Sequence, residues 1–178
     1  MNKLKRIYHV ADIHIRNLKR HQEYREVFDR LFEDIKKRGV EDSLIYLAGD
    51  LAHAKLEMSP ELVNEINYFL KRCCELAPTI LIAGNHDCNL NNVGRLDVLS
   101  PIVEALSLPN LTYLRNFESL RLWIETQNLS QIWLSEFVSK GDWIRDSKSV
   151  IERLNQSLPT ASRVVTMVTW SIKKYTQR

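Results

Sequence analysis

Histidine is missing from the second half of this chain. The sequence has 178 residues and five histidines, His9, His14, His21, His53 and His86, with none beyond His86. Cysteine is scarce as well. Cys73, Cys74 and Cys88 are odd in number and two are adjacent, which excludes a disulfide framework and fits a reducing compartment. No apolar run is long enough to span a bilayer. The apolar start is short and is broken by His9, Asp12 and His14, which argues against a secretory signal. These absences lead to the expectation of a soluble, intracellular protein, cytoplasmic or nuclear, that is neither secreted nor bound to a membrane. Internal repeats and low-complexity linkers are absent, and so is a clustered basic stripe. The net charge is +3 and the pI about 8.8. The basic residues are dispersed in small groups, Lys3-Leu4-Lys5-Arg6, Lys36-Lys37-Arg38 and Lys173-Lys174. A nucleic-acid partner is permitted by this charge but not demanded by it.

What is present suits a globular domain. The hydrophobic share is 44% and the charged share 26%, and the length allows one domain with a real core. Bulky residues over 6–11 read as a buried strand ending at Asp12. Val27, Phe28, Leu31, Phe32 and Ile35 recur at helical spacing until Gly39. A second strand is expected over 44–48, ending at Gly49-Asp50. Ser59-Pro60 has the form of a helix start, with serine as cap and proline in the first turn. That helix runs through Leu62, Ile66, Phe69 and Cys73 until Pro78. A third strand is expected over 79–83, a helix from Ser100-Pro101 through Leu106, and a fourth strand over 111–114. Strand and helix alternate, which implies βαβ units and a largely parallel sheet. Ligands of such sheets bind beyond the carboxyl ends of the strands, and each polar cluster in this sequence follows directly on a strand.

The clusters are Asp12-x-His14, Gly49-Asp50 and Gly84-Asn85-His86-Asp87. In an extended segment, Asp12 and His14 project to the same side, and carboxylate with imidazole suits manganese, iron or zinc. Asp50 can bridge two cations. Asn85 can offer an amide oxygen, His86 can donate a proton or stabilise phosphoryl charge, and Asp87 can orient that imidazole. Each cluster also has a plainer reading. Asp-x-His is often a solvated turn, Gly-Asp is common turn chemistry, and Gly-Asn-His-Asp can be an Asx-rich turn. Cys73 and Cys74 read as core and flank of their helix, His9 as a packed strand residue, and His21 as a solvated helix start.

The ordered conjunction of the three clusters, each at a strand end, resembles the D-x-H, G-D and G-N-H-D motifs of the calcineurin-like metallophosphoesterase superfamily. The resemblance covers roughly residues 6–115. It implies an α/β fold, the first half of a four-layer α/β/β/α sandwich with a largely parallel sheet flanked by helices. It implies two divalent metal ions, manganese first with iron or zinc as alternatives, held by Asp12, His14, Asp50 and Asn85, and a catalytic role for His86 supported by Asp87. A narrower resemblance is carried by Gly49-Asp50-Leu51-Ala52-His53 and the downstream Ser59-Pro60. These are similar to the double-strand-break-repair nuclease branch, the SbcD-type enzymes, and His53 then joins the catalytic residues. That branch implies DNA as substrate and an SbcC-type coiled-coil ATPase as partner; a homodimer is compatible with the sequence but not specified by it. Arg16 stands where bacterial members of the branch carry glycine.

The superfamily completes its site with later histidines, in a G-H and a G-H-x-H. Neither can follow His86 in this sequence, so the expected dinuclear site is incomplete and its full occupancy is not expected. Composition also shifts after about Phe117, where all four tryptophans, Trp123, Trp133, Trp143 and Trp170, are found. The chain therefore divides into 1–118, the phosphoesterase-like half, and 119–178, a divergent segment read as truncated or frame-disrupted. A strand is expected over 120–124 and short helices over 132–138 and 150–154; Asp142 and Asp146 could in principle replace missing ligands, but nothing in their spacing points to it. Three functions follow: a metal-dependent DNA nuclease subunit, a phosphomonoesterase or protein phosphatase of the same superfamily, and an inactive module that binds DNA or an ATPase.

Overall fold

The computed structural model describes residues 6–89, 92 and 94–115, together with the backbone of 166–171. The strand expected over 120–124, the helices expected over 132–138 and 150–154, and Asp142 and Asp146 lie outside the described residues.

The described residues form eight elements: β1 (Arg6–Ala11), α1 (His21–Arg38), β2 (Ser43–Ala48), α2 (Pro60–Leu76), β3 (Thr79–Ile82), α3 (Ser100–Leu106), β4 (Leu111–Leu114) and β5 (Thr166–Ser171). All strand pairs are parallel, in the order β4-β3-β2-β1-β5. The α/β expectation is met, and the first four strands fall where the apolar runs predicted them. β5 is an addition. Its β-branched residues Thr166, Val168 and Thr169 have high strand propensity.

From β1 to β4 the chain steps across the sheet in one direction. Right-handed crossovers therefore place α1, α2 and α3 on one face, and α1 packs on α2 and α2 on α3. The core lies between that face and the helices. Tyr8, Val10, Ile45, Leu47 and Leu81 come from the strands; Phe28, Leu31, Phe32 and Ile35 from α1; Leu62, Ile66, Phe69 and Leu70 from α2. The ring of Phe69 lies 4.5 Å from Phe28 and 5.8 Å from Phe32. Full burial of such a ring stabilises the fold by roughly 1.5–3 kcal/mol. The other sheet face carries Ile7, His9, Tyr46 and Ile80, which are buried as well. His9 is packed as expected, its ring stacked 5.5 Å from Tyr46. Burial pulls its pKa down to about 4. Cys73 and Cys74 are both buried.

The helix ends follow local chemistry with one correction. Ser59 caps α2, its Oγ accepting the Leu62 N–H at 3.2 Å. At α3, Ser100 is itself the first helical residue and cannot serve as the cap that Ser59 provides for α2. Asp97 does the capping: its carboxylate accepts the N–H groups of Leu99 and Ser100 at 2.9 and 2.7 Å and the Ser100 hydroxyl at 2.6 Å. A carboxylate three residues upstream outcompetes a hydroxyl that lies too far into the turn.

Candidate metal centre

Three loops leave the carboxyl ends of β1, β2 and β3. The first two run on side by side. The His14 N–H donates to the Asp50 carbonyl at 2.8 Å, the Ile15 N–H to Leu51 at 2.9 Å, and the His53 N–H to Ile15 at 3.0 Å. The third loop closes on the second through glycine. A Cβ on Gly84 would lie 2.2 Å from Asp50 Oδ1, and one on Gly49 would lie 2.6 Å from the Gly84 Cα. No larger residue allows this approach, and Gly49 also needs its φ of 83°. The motif glycines thus set the spacing between the loops that carry Asp50 and His86.

Asp12, His14 and Asp50 all have left-handed backbone, with φ of 57°, 49° and 54°. Such conformations cost on the order of 1–3 kcal/mol each and persist where the surroundings impose them. The extended Asp12-x-His14 segment of the sequence reading is therefore corrected: the pair meets across a tight turn. His14 Nε2 lies 3.6 Å from Asp12 Oδ1 and 3.8 Å from Asp50 Oδ2. Donor atoms of all three residues lie within 4.8 Å of one another.

Asp50 is only 3% exposed, and its Oδ1 accepts the backbone N–H of His86 at 2.8 Å. Among the described residues, no lysine or arginine forms an ion pair with Asp12 or Asp50. Gathered carboxylates without a cationic side chain are costly unless a cation joins them. Two carboxylates and an imidazole suit a hard or borderline divalent ion, so the donor set fits one. Asn85 is exposed on the third loop, the residue before His86.

His86 and His53 stand beside this group. The rings of His14 and His86 are 4.5 Å apart, those of His14 and His53 5.7 Å, and those of His53 and His86 6.0 Å and nearly parallel. His86 Nδ1 lies 2.8 Å from the His53 carbonyl oxygen. A carbonyl can only accept, so this bond places a proton on Nδ1 and makes Nε2 the working nitrogen. In the imidazolium form, Nε2 can donate to a phosphate oxygen or to a leaving oxygen.

The expected pairing of Asp87 with His86 does not form. The Asp87 carboxylate turns inward and accepts three backbone N–H groups, from Ala52 and Gly84 at 2.9 Å and from Leu51 at 3.3 Å. It is 1% exposed, and burial pushes its pKa up to about 6 while the amides pull the other way. Asp87 is a tie between the second and third loops, and the His53 carbonyl takes the orienting role expected of it. Other contacts have no motif to announce them. Tyr24 Oη donates to the His14 carbonyl at 2.8 Å, and Asn17 Oδ1 accepts the Ser59 N–H at 3.1 Å. His21 Nε2 engages the Arg16 carbonyl at 2.7 Å and holds the start of α1.

Bound at this edge, divalent cations supply Lewis acidity and a hydroxide at neutral pH. The structure thus gathers at one edge two carboxylates and an imidazole that could hold such an ion, with the rings of His53 and His86 beside them. The chain belongs to the calcineurin-like phosphoesterase family, whose model matches residues 5–164. It is also 54% identical over 114 residues to an uncharacterised protein of Acanthamoeba polyphaga mimivirus. That stretch is 63% of this chain and 8% of the viral protein, so the chain spans a small part of that relative's length. No described helix is long and apolar enough to cross a membrane.

Proposed function

We propose that this domain cleaves phosphodiester bonds in DNA with manganese, in the manner of the double-strand-break-repair nucleases, and that a coiled-coil ATPase of the SbcC type and a second copy of the chain are its partners. The observation that supports this reading is the position of His53. Its ring lies 5.7 Å from His14 and 6.0 Å from His86, so the histidine of the Gly49-Asp50-Leu51-Ala52-His53 motif adds an imidazole on the side where a phosphate would approach. Asp12, His14, Asp50 and Asn85 hold the ions, His86 meets the phosphoryl or leaving-group charge, and His53 contacts the neighbouring phosphate.

The test is an assay on linear and hairpin DNA with manganese, run beside a small aryl phosphate. DNA cleavage lost in His86→Ala and reduced in His53→Ala supports the proposal. Hydrolysis of the aryl phosphate without DNA cleavage selects a phosphomonoesterase instead. The remaining outcome is a non-catalytic module that binds DNA or an ATPase. DNA binding without hydrolysis, at saturating manganese, would select it.

A further inference from the structure

His14 belongs to two donor groups at once. One ring nitrogen from each of His14, His53 and His86 lies within 4.8 Å of the other two, just as the donors of Asp12, His14 and Asp50 do. The Nδ1 atom of His14 is fully buried, which leaves Nε2, the nitrogen already facing Asp12 and Asp50. A neutral imidazole nitrogen has one lone pair and holds one cation. The geometry points to an either/or centre: a second, all-imidazole metal site on His14, His53 and His86 that takes a zinc-like ion and competes with the carboxylate site for His14.

Three features of the cluster suit a metal. Three imidazoles favour zinc, copper or nickel, whereas carboxylates favour manganese and magnesium. Three protein ligands with an open fourth position form a common zinc arrangement. Histidine ligands also donate their other N–H to a carbonyl or carboxylate, which fixes the tautomer. His86 does this within the cluster itself, through Nδ1 to the His53 carbonyl at 2.8 Å. His53 therefore contributes its own ring and also readies that of His86. The two sites differ in what they leave free. An ion held by Asp12, His14 and Asp50 leaves His53 and His86 available to a phosphate, while an ion on the three histidines occupies them. Zinc is then an inhibitor that acts from its own site. The inference does not need the chain to cut DNA, because metal binding is read directly.

X-ray absorption on the full chain loaded with one equivalent of zinc tests it, since imidazole outer-shell scattering counts histidine ligands. Three imidazoles are expected for zinc and one for manganese. A zinc spectrum with a single imidazole overturns the second site. Calorimetry with zinc alone gives an independent readout. His53→Gln, at an exposed position, should weaken zinc binding by more than the roughly 10–100-fold that loss of an outer-shell partner costs, and should leave manganese affinity within about twofold. Asp12→Asn should do the reverse. If Asp12→Asn removes zinc binding, or if His53→Gln leaves it intact, zinc sits with the carboxylates and the inference fails. No zinc binding to the unaltered chain at micromolar concentration overturns it as well.

Discussion

The body of the sheet and its carboxyl edge follow opposite rules. Within β1, β2 and β3 the backbone is regular and the side chains are mostly apolar, with Val10, Leu47 and Leu81 buried against the helices. Just past the strand ends, Asp12, His14 and Asp50 adopt left-handed conformations and carry polar groups inward. The body gathers stability and the edge uses it. Strain at three residues and a buried carboxylate persist because the loops are locked to one another by Gly49 against Gly84 and by the amides around Asp87.

The sharpest way to break this contrast is to damage each region alone. Phe69→Ala empties the space between Phe28 and Phe32 and should cost about 3–5 kcal/mol by urea denaturation. Manganese affinity, measured by calorimetry well below the transition, should stay near that of the unaltered chain. Gly84→Ala sets a Cβ against Asp50 and should cost about 3 kcal/mol. Here manganese affinity should fall with stability, and an unchanged affinity would show that the loop spacing does not set the site.

His9 tests whether the sheet body tolerates a polar group. Its pKa is about 4 in the folded chain against about 6.5 when unfolded. The folded state excludes the proton. The stability this gives is therefore full above pH 6.5 and drains as pH falls through 6.5 toward 4, by up to about 3 kcal/mol. Urea denaturation at pH 7 and pH 4.5 should show the loss, and His9→Phe should flatten it.

A smaller effect sharpens the role of Asp87. Asp87→Asn offers fewer acceptor sites to three backbone amides and adds an N–H₂ group among them, so it should destabilise by about 1–3 kcal/mol. If Asp87 is a loop tie, the pH profile of any hydrolytic activity should keep its shape. A displaced profile would restore it as the partner of His86. Smallest is Ser59→Ala, which removes the cap of α2 and should cost about 1 kcal/mol, visible as a modest drop in Tm with no change in metal binding.

Much of this contrast is legible in the sequence, for a physical reason. Strands and helices follow from local periodicity, and a helix start such as Ser59-Pro60 is a contact between near neighbours. The donor set is legible because each member directly ends a strand, and parallel strands bring their ends to one edge. What could not be read is contact between loops. Asp87 follows His86 in sequence, yet its carboxylate belongs to amides some 35 positions earlier, at Leu51 and Ala52. The carbonyl that orients His86 lies 33 positions away, at His53. Backbone groups carry no residue-specific signature, so no motif announces them. β5 has only a short run of β-branched residues, Thr166, Val168 and Thr169, set in a stretch of different composition, so its local signal is weak.

β5 also bears on how the chain is made. It pairs with β1 from Arg6↔Thr166 to Ala11↔Ser171, so the strand leading into Asp12 and His14 acquires one of its two neighbours only near the end of the sequence. Until then β1 presents an open edge on a growing chain, and such edges invite pairing with other molecules. A ribosome adding roughly 5–20 residues per second leaves that edge uncovered for seconds, long enough for a chaperone, or a second nascent copy, to reach it first.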